Sequence, residues 1–414
     1  MFKRIISIGI ALILCLSYVT ISYADDEIDI VDIKGINKVI ETVSKIDELP
    51  KINSRFAVVL DRNSGAVIYG KNEYTRTKMA STTKIMTCIV VLENTNLSNI
   101  VEMSAKAAGT GGSKLKFKKG DKISVNDLLY GLMLRSGNDA AVALAEYVGG
   151  SVEGFATLMN KKANELGLEN THFETPHGLD SDNHYTTPYE LAKLANYALG
   201  NKTFRNIVGT KSCTININGV PRIISNTNEL LGNLNGVYGV KTGFTNGAGR
   251  CLVTSIKRDN LDVICVVLGA DTKKIRTADS VKLIEYTFKN YTSKDISKSI
   301  EEEFEKWKNI NENRININKG IKTDIKIGLE EYNIKNYPIK NNTSQKINVQ
   351  IDVNRNLEAP VQNGAVIGKL IVSYDDKCIL EINIITKEEI KKKGIENYIY
   401  EIFKNYKDYL EQTI

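Results

Sequence analysis

Three short motifs follow one another along this 414-residue chain: Ser81-Thr82-Thr83-Lys84, then Ser136-Gly137-Asn138, then Lys241-Thr242-Gly243. A Ser-x-x-Lys alone arises by chance in most chains of this length, so the weight lies in the ordered set and in the setting of each member. A serine hydroxyl is a poor nucleophile at neutral pH and needs a base nearby. Ser81 at the start of a helix places Lys84 one turn later on the same face, within reach of the hydroxyl. A buried lysine near a second cation loses proton affinity, and Lys241 on a central strand supplies that cation. The helix N-terminus beneath Ser81 adds positive potential where an oxyanion would form. Taken alone, this motif reads more simply as a helix cap with a surface lysine.

The second motif sits between two helical stretches, Leu128 to Leu134 and Ala140 to Val148. A loop there aims Ser136 and Asn138 into a cleft, Ser136 to relay a proton between Lys84 and a leaving group, Asn138 to bond a substrate amide. The ordinary alternative is a helix-to-helix turn with Asn138 as N-cap. The third motif lies on a strand that can offer its backbone to a peptide, with Gly243 permitting close approach. Lys241 and Thr242 present a cation and a hydroxyl to a carboxylate, and the amides of Ser81 and Phe244 form an oxyanion hole. A plain strand with a polar face does not explain the glycine inside it.

The surroundings suit that chemistry. Phe56–Leu60 and Ala66–Tyr69 read as a hairpin turned by Arg62-Asn63-Ser64-Gly65, after a first helix over Ile33 to Ile46. Lys84 to Glu93 reads as a buried helix, and Val125 to Leu199 as mostly helical. Strands return at Gly239–Gly243, Cys251–Ile256 and Leu261–Leu268, followed by a helix from Ala278 to Tyr291. The expected fold is α/β: an antiparallel sheet with helices and an all-helical lobe, followed by a small β-rich domain. The expected divisions are a leader over 1–24, a catalytic domain over 25–292, a β-rich domain over 293–386 and an amphipathic terminal helix over 387–414. Within the β-rich part, Lys346–Asp352 and Val366–Val372 alternate like strands. Glu301 to Lys308 is a charged run.

Lys3-Arg4, the apolar run Ile5 to Leu16 and Ser22-Tyr23-Ala24 have the form of a cleaved secretory signal, which places the protein outside the cytoplasm. Cys15 lacks the small residues of a lipoprotein signal. The net charge of +6, or +4 without Lys3 and Arg4, is mild and evenly spread, which argues against nucleic acid and weakly suits an anionic wall or membrane surface. Cys88, Cys213, Cys251, Cys265 and Cys378 form no disulfide framework and no zinc spacing. Cys251 and Cys265 lie on neighbouring strands, where two small buried residues are favoured over a bridge. His172, His177 and His184 match no metal pattern, and Pro176 breaks any shared helix face.

The motifs and their flanks resemble the serine-type D-alanyl-D-alanine carboxypeptidases, the low-molecular-mass penicillin-binding proteins. The resemblance is carried by Ala80-Ser-Thr-Thr-Lys-Ile-Met-Thr87, Leu134-Arg-Ser-Gly-Asn-Asp-Ala-Ala141, and Gly239-Val-Lys-Thr-Gly-Phe-Thr245 with Ala248-Gly249. A fourth block, Thr171-His-Phe-Glu-Thr-Pro-His-Gly-Leu-Asp180 followed by His184-Tyr-Thr-Thr187, is similar as well. The likeness covers residues 50–290 and extends more loosely to the β-rich domain and the last helix. It implies that Ser81 attacks the bond between the last two D-alanines of a peptidoglycan stem peptide, with Lys84 as base, and that β-lactams acylate the same serine. No cofactor or metal is implied.

Met79 stands where the family usually has proline, and Thr175 where it usually has asparagine. Ser225-Asn-Thr-Asn228 lacks the arginine some members place near Thr227, leaving Thr242 and Lys241, or Arg250 or Arg276, to hold a carboxylate. A DD-endopeptidase is the nearest rival, and a wall-binding protein with an inert cleft is the reading from another class. A β-lactamase would need a deacylating glutamate, for which only Glu174 and Glu190 offer themselves. The last helix carries Ile395, Tyr398, Ile399, Ile402, Phe403, Tyr406 and Leu410 on one stripe, which suits peripheral membrane contact through 388–414 or packing on its own domain.

Overall fold

The computed structural model describes residues 32–43, 48–343 and 347–413, so the leader expected over 1–24, with Cys15, lies outside the described residues. The chain divides into two units, Met1–Asn290 and Tyr291–Ile414.

In the first unit α1 (Ile33–Val43) covers the first part of the helix expected over 33–46. The hairpin β1 (Phe56–Asp61) and β2 (Val67–Lys71) follows, and then a short 3-10 turn, Ala80–Thr83, leads directly into α2 (Lys84–Asn94). Two strands missed in the sequence, β3 (Ile100–Glu102) and β4 (Lys122–Ser124), pair around the short helix α3 (Ala105–Gly109). The helical lobe continues with α4 (Val125–Leu134), α5 (Asn138–Gly149), α6 (Val152–Glu165), α7 (Pro188–Gly200) and α8 (Lys202–Val208). Side-chain caps mark these starts: Ser124, Ser151, Thr187 and Asn201 each accept a first-turn N–H, and Pro188 takes the position where no N–H is needed. Residues 166–187 are not helical, which breaks the run expected to reach Leu199.

The ribbon β5 (Ser212–Ile217) and β6 (Val220–Ser225) precedes the meander β7 (Val237–Thr245), β8 (Gly249–Arg258) and β9 (Leu261–Ala270). The main sheet is antiparallel in the order β2-β1-β9-β8-β7. Helix α9 (Lys273–Asn290) starts five residues earlier than expected and packs on β8, β9 and α1. With α7 packed on β1 and β9, both residue sets of β9 are buried, so the strand reads as an almost unbroken apolar run. Cys265 pairs with Thr254 and not with Cys251, and all five described cysteines are free.

The second unit begins with β10 (Tyr291–Asp295), two residues before the expected boundary. The charged run over Glu301 to Lys308 is part of a helix, α10 (Ser297–Asn311), whose Ile300 and Phe304 are buried while its carboxylates and lysines face out. Short strands β11 (Asn316–Asn318), β12 (Ile327–Leu329), β13 (Asn336–Lys340), β14 (Ile347–Val353) and β15 (Asn356–Glu358) lead to the long hairpin β16 (Val366–Tyr374) and β17 (Lys377–Thr386). Four of them form a sheet, β12-β17-β16-β14. Ile390 is fully buried in this core and bridges to Val361, so the unit runs past the expected boundary at 386/387. The terminal helix, α11 (Ile395–Thr413), starts only at Ile395, with Asn397 Oδ1 accepting from Gly394 N at 2.9 Å. Its stripe is exposed, from Ile395 at 79% to Leu410 at 41%. No helix among the described residues is long and apolar enough to cross a membrane.

Candidate active site

The nucleophile sits on a backbone turn held in an unusual conformation. Ala80 has φ +48°, a left-handed geometry that costs a residue with a Cβ about 1–2 kcal/mol. The hydroxyls of the next threonines hold the turn, Thr82 Oγ1 donating to Met79 O at 2.6 Å and Thr83 Oγ1 to Ala80 O at 2.8 Å. Ser81 is left 7% exposed, and Lys84 not at all. Lys84 Nζ lies 2.9 Å from Ser81 Oγ, 2.7 Å from Asn138 Oδ1 and 3.0 Å from His177 O. The i, i+3 spacing of the first motif thus becomes a direct contact, across a 3-10 turn and not a helix start.

The second motif arrives from the α4–α5 connection. Ser136 adopts φ +59°, and its Oγ is buried with no hydrogen-bond partner among the described residues. Asn138 is the first residue of α5, so the loop is shorter than expected. Both ends of its amide are engaged within the protein: Oδ1 takes the Lys84 ammonium, and Nδ2 donates to Gly111 O at 2.7 Å. Asp139 accepts from Leu115 N at 3.1 Å and Phe117 N at 3.3 Å. The pair therefore fixes Lys84 on one side and residues 111–117 on the other.

The third motif lies on β7, which is an edge strand of the sheet and not the central one expected, and packs against the nucleophile turn. A Cβ on Gly243 would sit 3.0 Å from Ser81 N, which accounts for the glycine within this strand. Lys241 is 1% exposed and donates to Thr242 O at 2.9 Å, while Thr242 Oγ1 and Thr227 Oγ1 share a 2.8 Å bond. Of the two arginines offered in place of the missing one, Arg276 donates to Glu229 at 2.7 Å and Arg250 lies over the Phe244 ring at 3.7 Å.

The fourth block closes the turn from the far side, a contact that the sequence did not announce. Gly178 has φ +85° and runs so near the turn that a Cβ would fall 2.0 Å from Ala80 O. Thr87 Oγ1 donates to Pro176 O at 2.6 Å, which brings His177 O to Lys84. His184 Nδ1 accepts from Glu174 N at 3.0 Å, so its proton sits on Nε2 and is donated to Thr83 Oγ1 at 2.8 Å. The relay His184–Thr83–Ala80 O thus reaches the residue preceding the nucleophile. Burial pushes His184 down to about 4; burial and the Lys84 charge push His177 down to about 3. Asp180 ties the block to the end of β7, accepting from Thr245 Oγ1 at 2.6 Å and Gly247 N at 2.8 Å. Thr175, in place of the usual asparagine, accepts from Gly178 N at 3.1 Å and so makes the turn bond itself.

The other titratable residues noted in the sequence have local duties. Glu190 accepts from Asn170 N and Thr171 Oγ1, and Glu174 is bonded to Ser181 Oγ. His172 pairs through Nδ1 with Asn183 O at 2.6 Å.

Residues 43–272 match the profile of the D-alanyl-D-alanine carboxypeptidases. The chain belongs to that family. Residues 303–392 match the C-terminal domain of penicillin-binding protein 5. D-alanyl-D-alanine carboxypeptidase DacF of Bacillus subtilis is 34% identical, over 84% of this chain and 88% of that protein. The crystal structure of penicillin-binding protein 5 from Haemophilus influenzae is 30% identical with a TM-score of 0.69, covering 83% of this chain and 99% of its own. The Streptomyces K15 DD-transpeptidase, at 37% identity and a TM-score of 0.57, covers 58% of this chain and 99% of its own. The likeness to penicillin-binding protein 5 thus takes in both units, while the Streptomyces enzyme spans a smaller part of the chain.

Proposed function

We propose that this protein removes the terminal D-alanine from peptidoglycan stem pentapeptides through an acyl-enzyme on Ser81. The observation that carries the reading is the 2.9 Å contact between Lys84 Nζ and Ser81 Oγ at a lysine with no exposed surface. At that distance the Lys84 amine takes the serine proton as Oγ attacks the carbonyl between the last two D-alanines. The amides of Ser81 and Phe244 stabilise the oxyanion, β7 receives the peptide backbone, and Lys241 with Thr242 meets the terminal carboxylate. The unpartnered Ser136 hydroxyl passes the proton to the departing amine, and Asn138 holds Lys84 in place. D-Alanine leaves, and water then hydrolyses the ester. β-Lactams imitate the D-alanyl-D-alanine end and acylate Ser81. This sequence of steps needs no metal or cofactor.

The deciding experiment incubates wild type and Ser81→Ala with pentapeptide and crosslinked muropeptides and follows both by mass spectrometry. Tetrapeptide and free D-alanine from wild type alone, with crosslinks intact, is the expected result. Split crosslinks would make the protein an endopeptidase, and activity surviving in Ser81→Ala would overturn the acyl-enzyme. Rapid β-lactam turnover would move it to the β-lactamases. Because a relative is a DD-transpeptidase, an amine acceptor belongs in one reaction, to show whether water alone takes the acyl group.

The same reading places the protein outside the cytoplasm after removal of residues 1–24, on the wall or the outer membrane face. The exposed stripe of α11 is the feature that favours peripheral membrane contact. Because Ile390 belongs to the second core, the informative truncation comes after Gly394. Unchanged co-sedimentation of that variant with anionic vesicles would remove the membrane role.

A further inference from the structure

Residues 114–119 read Lys-Leu-Lys-Phe-Lys-Lys: four cations and no acid in six positions of a chain whose net charge is +6. The charge is therefore less evenly spread than composition suggested. The structure sorts the segment cleanly. Leu115 and Phe117 are 1% and 4% exposed, whereas Lys114, Lys116, Lys118 and Lys119 are all exposed. Among the described residues none of the four lysines is ion-paired. Of the acids nearby, Asp121 accepts from Lys118 N at 2.7 Å and Asn218 Nδ2 at 2.8 Å, and Asp139 is buried.

The strip is held firmly and beside the cleft. Asp139 grips the backbone on both sides of Lys116, which adopts φ +65° with its side chain left in solvent. Arg222 donates to Leu115 O, and Asn138 N donates to Ser113 O at 2.8 Å. Asn138 is the residue that also contacts Lys84.

We infer that Lys114, Lys116, Lys118 and Lys119 form a docking strip for an extended anionic polymer of the cell wall whose charges are phosphodiesters. Alternate residues lie at most about 7 Å apart along the chain, so a polymer charged at that interval meets several ammoniums at once. Lysine is a compact point charge suited to phosphate. A stem peptide offers too few carboxylates to use four cations. Nucleic acid is disfavoured because the strip's aromatic residue, Phe117, is buried and presents no face on which a base could stack. Each contact is weak and the set is multivalent, which keeps the enzyme close to an insoluble substrate.

The inference rests on the proposed site of action outside the cytoplasm, and the test separates the two. Fluorescence anisotropy with labelled poly(glycerol phosphate) compares wild type with K114S/K116S/K118S/K119S, and oligothymidylate of equal charge serves as the competing polymer. Wild type is expected to bind at 50 mM salt and to lose about 50-fold in affinity by 200 mM, as four released counterions require. The variant binds at least 20-fold more weakly at 50 mM salt and loses most of the salt dependence, while a fluorescent penicillin labels its Ser81 at the wild-type rate. Equal polymer binding by the variant, no wild-type binding at 50 mM salt, or tighter binding of oligothymidylate would each overturn the docking strip. Failure of wild type to take the penicillin would instead overturn the Ser81 reading, and the polymer titration would still report on the strip.

Discussion

Replacing Gly178 by alanine tests whether the fourth block positions the nucleophile. The new Cβ would lie 2.0 Å from Ala80 O and 2.5 Å from Thr83 Oγ1. Carbon and oxygen in contact sit about 3.3 Å apart, so the block and the turn must separate by about 1.3 Å. At φ +85° the alanine adds a further cost of about 1–2 kcal/mol. Ser81 follows Ala80 directly, and a displacement of about 1 Å in a reacting group costs on the order of 100-fold in rate. The second-order rate of Ser81 acylation by a fluorescent penicillin should therefore fall at least 100-fold. Gly150→Ala is the control: it has φ +72° but nothing within 4 Å of the added Cβ. It should cost about 1 kcal/mol, or roughly 2–4 °C in Tm, and leave acylation unchanged. A folded Gly178→Ala protein that acylates within threefold of wild type would refute the argument.

Two further perturbations probe the same block. His184 is held neutral, with its pKa lowered from 6.5 to about 4, so its contribution is complete above pH 6.5 and is lost as pH falls from there towards 4. His184→Gln keeps a donor and an acceptor but does not titrate, so its unfolding free energy should fall less between pH 7 and pH 4, by on the order of 3 kcal/mol, in urea titrations. Parallel pH profiles for the two proteins would contradict this account. Asp180→Ala removes the acceptor of Thr245 Oγ1 and Gly247 N and should lower Tm by about 3–6 °C, with part recovered in Asp180→Asn. An unchanged melting curve would mean that water replaces those bonds without loss.

Much of this arrangement was legible because the reacting groups come in short motifs whose spacing has local meaning. Ser81 and Lys84 meet across a single turn, and Gly243 signals a backbone approach wherever the strand lies. The meander was readable from its apolar runs and from Asn246-Gly247 and Asp259-Asn260, the turn residues between them. What escaped depends on contacts between distant segments. Nothing local to His184 reveals that its ring reaches Thr83, and nothing in Pro176-His177-Gly178 reveals that a carbonyl there meets Lys84. Nothing local to Asn138, read for a substrate amide, reveals that its oxygen also meets Lys84 and one of its N–H groups Gly111 O. In the second unit the run Glu301 to Lys308 was legible only as charged, because only Ile300, Phe304 and the half-buried Trp307 mark the inner face of its helix. Ile390 lay outside the expected β domain because its partner, Val361, comes from a loop.

The nucleophile turn is pressed between Gly243 on one side and Gly178 on the other, and both arrive from far along the chain. Ser81 thus has no reactive geometry of its own; its geometry is borrowed from two strangers in sequence. During refolding, a chain with a well-formed helix α2 but an undocked meander should be blind to penicillin. Labelling therefore counts only molecules in which all three segments have assembled, and its recovery should follow the slowest of those long-range steps and not the return of helical signal. In this enzyme the drug is a proofreader of the fold.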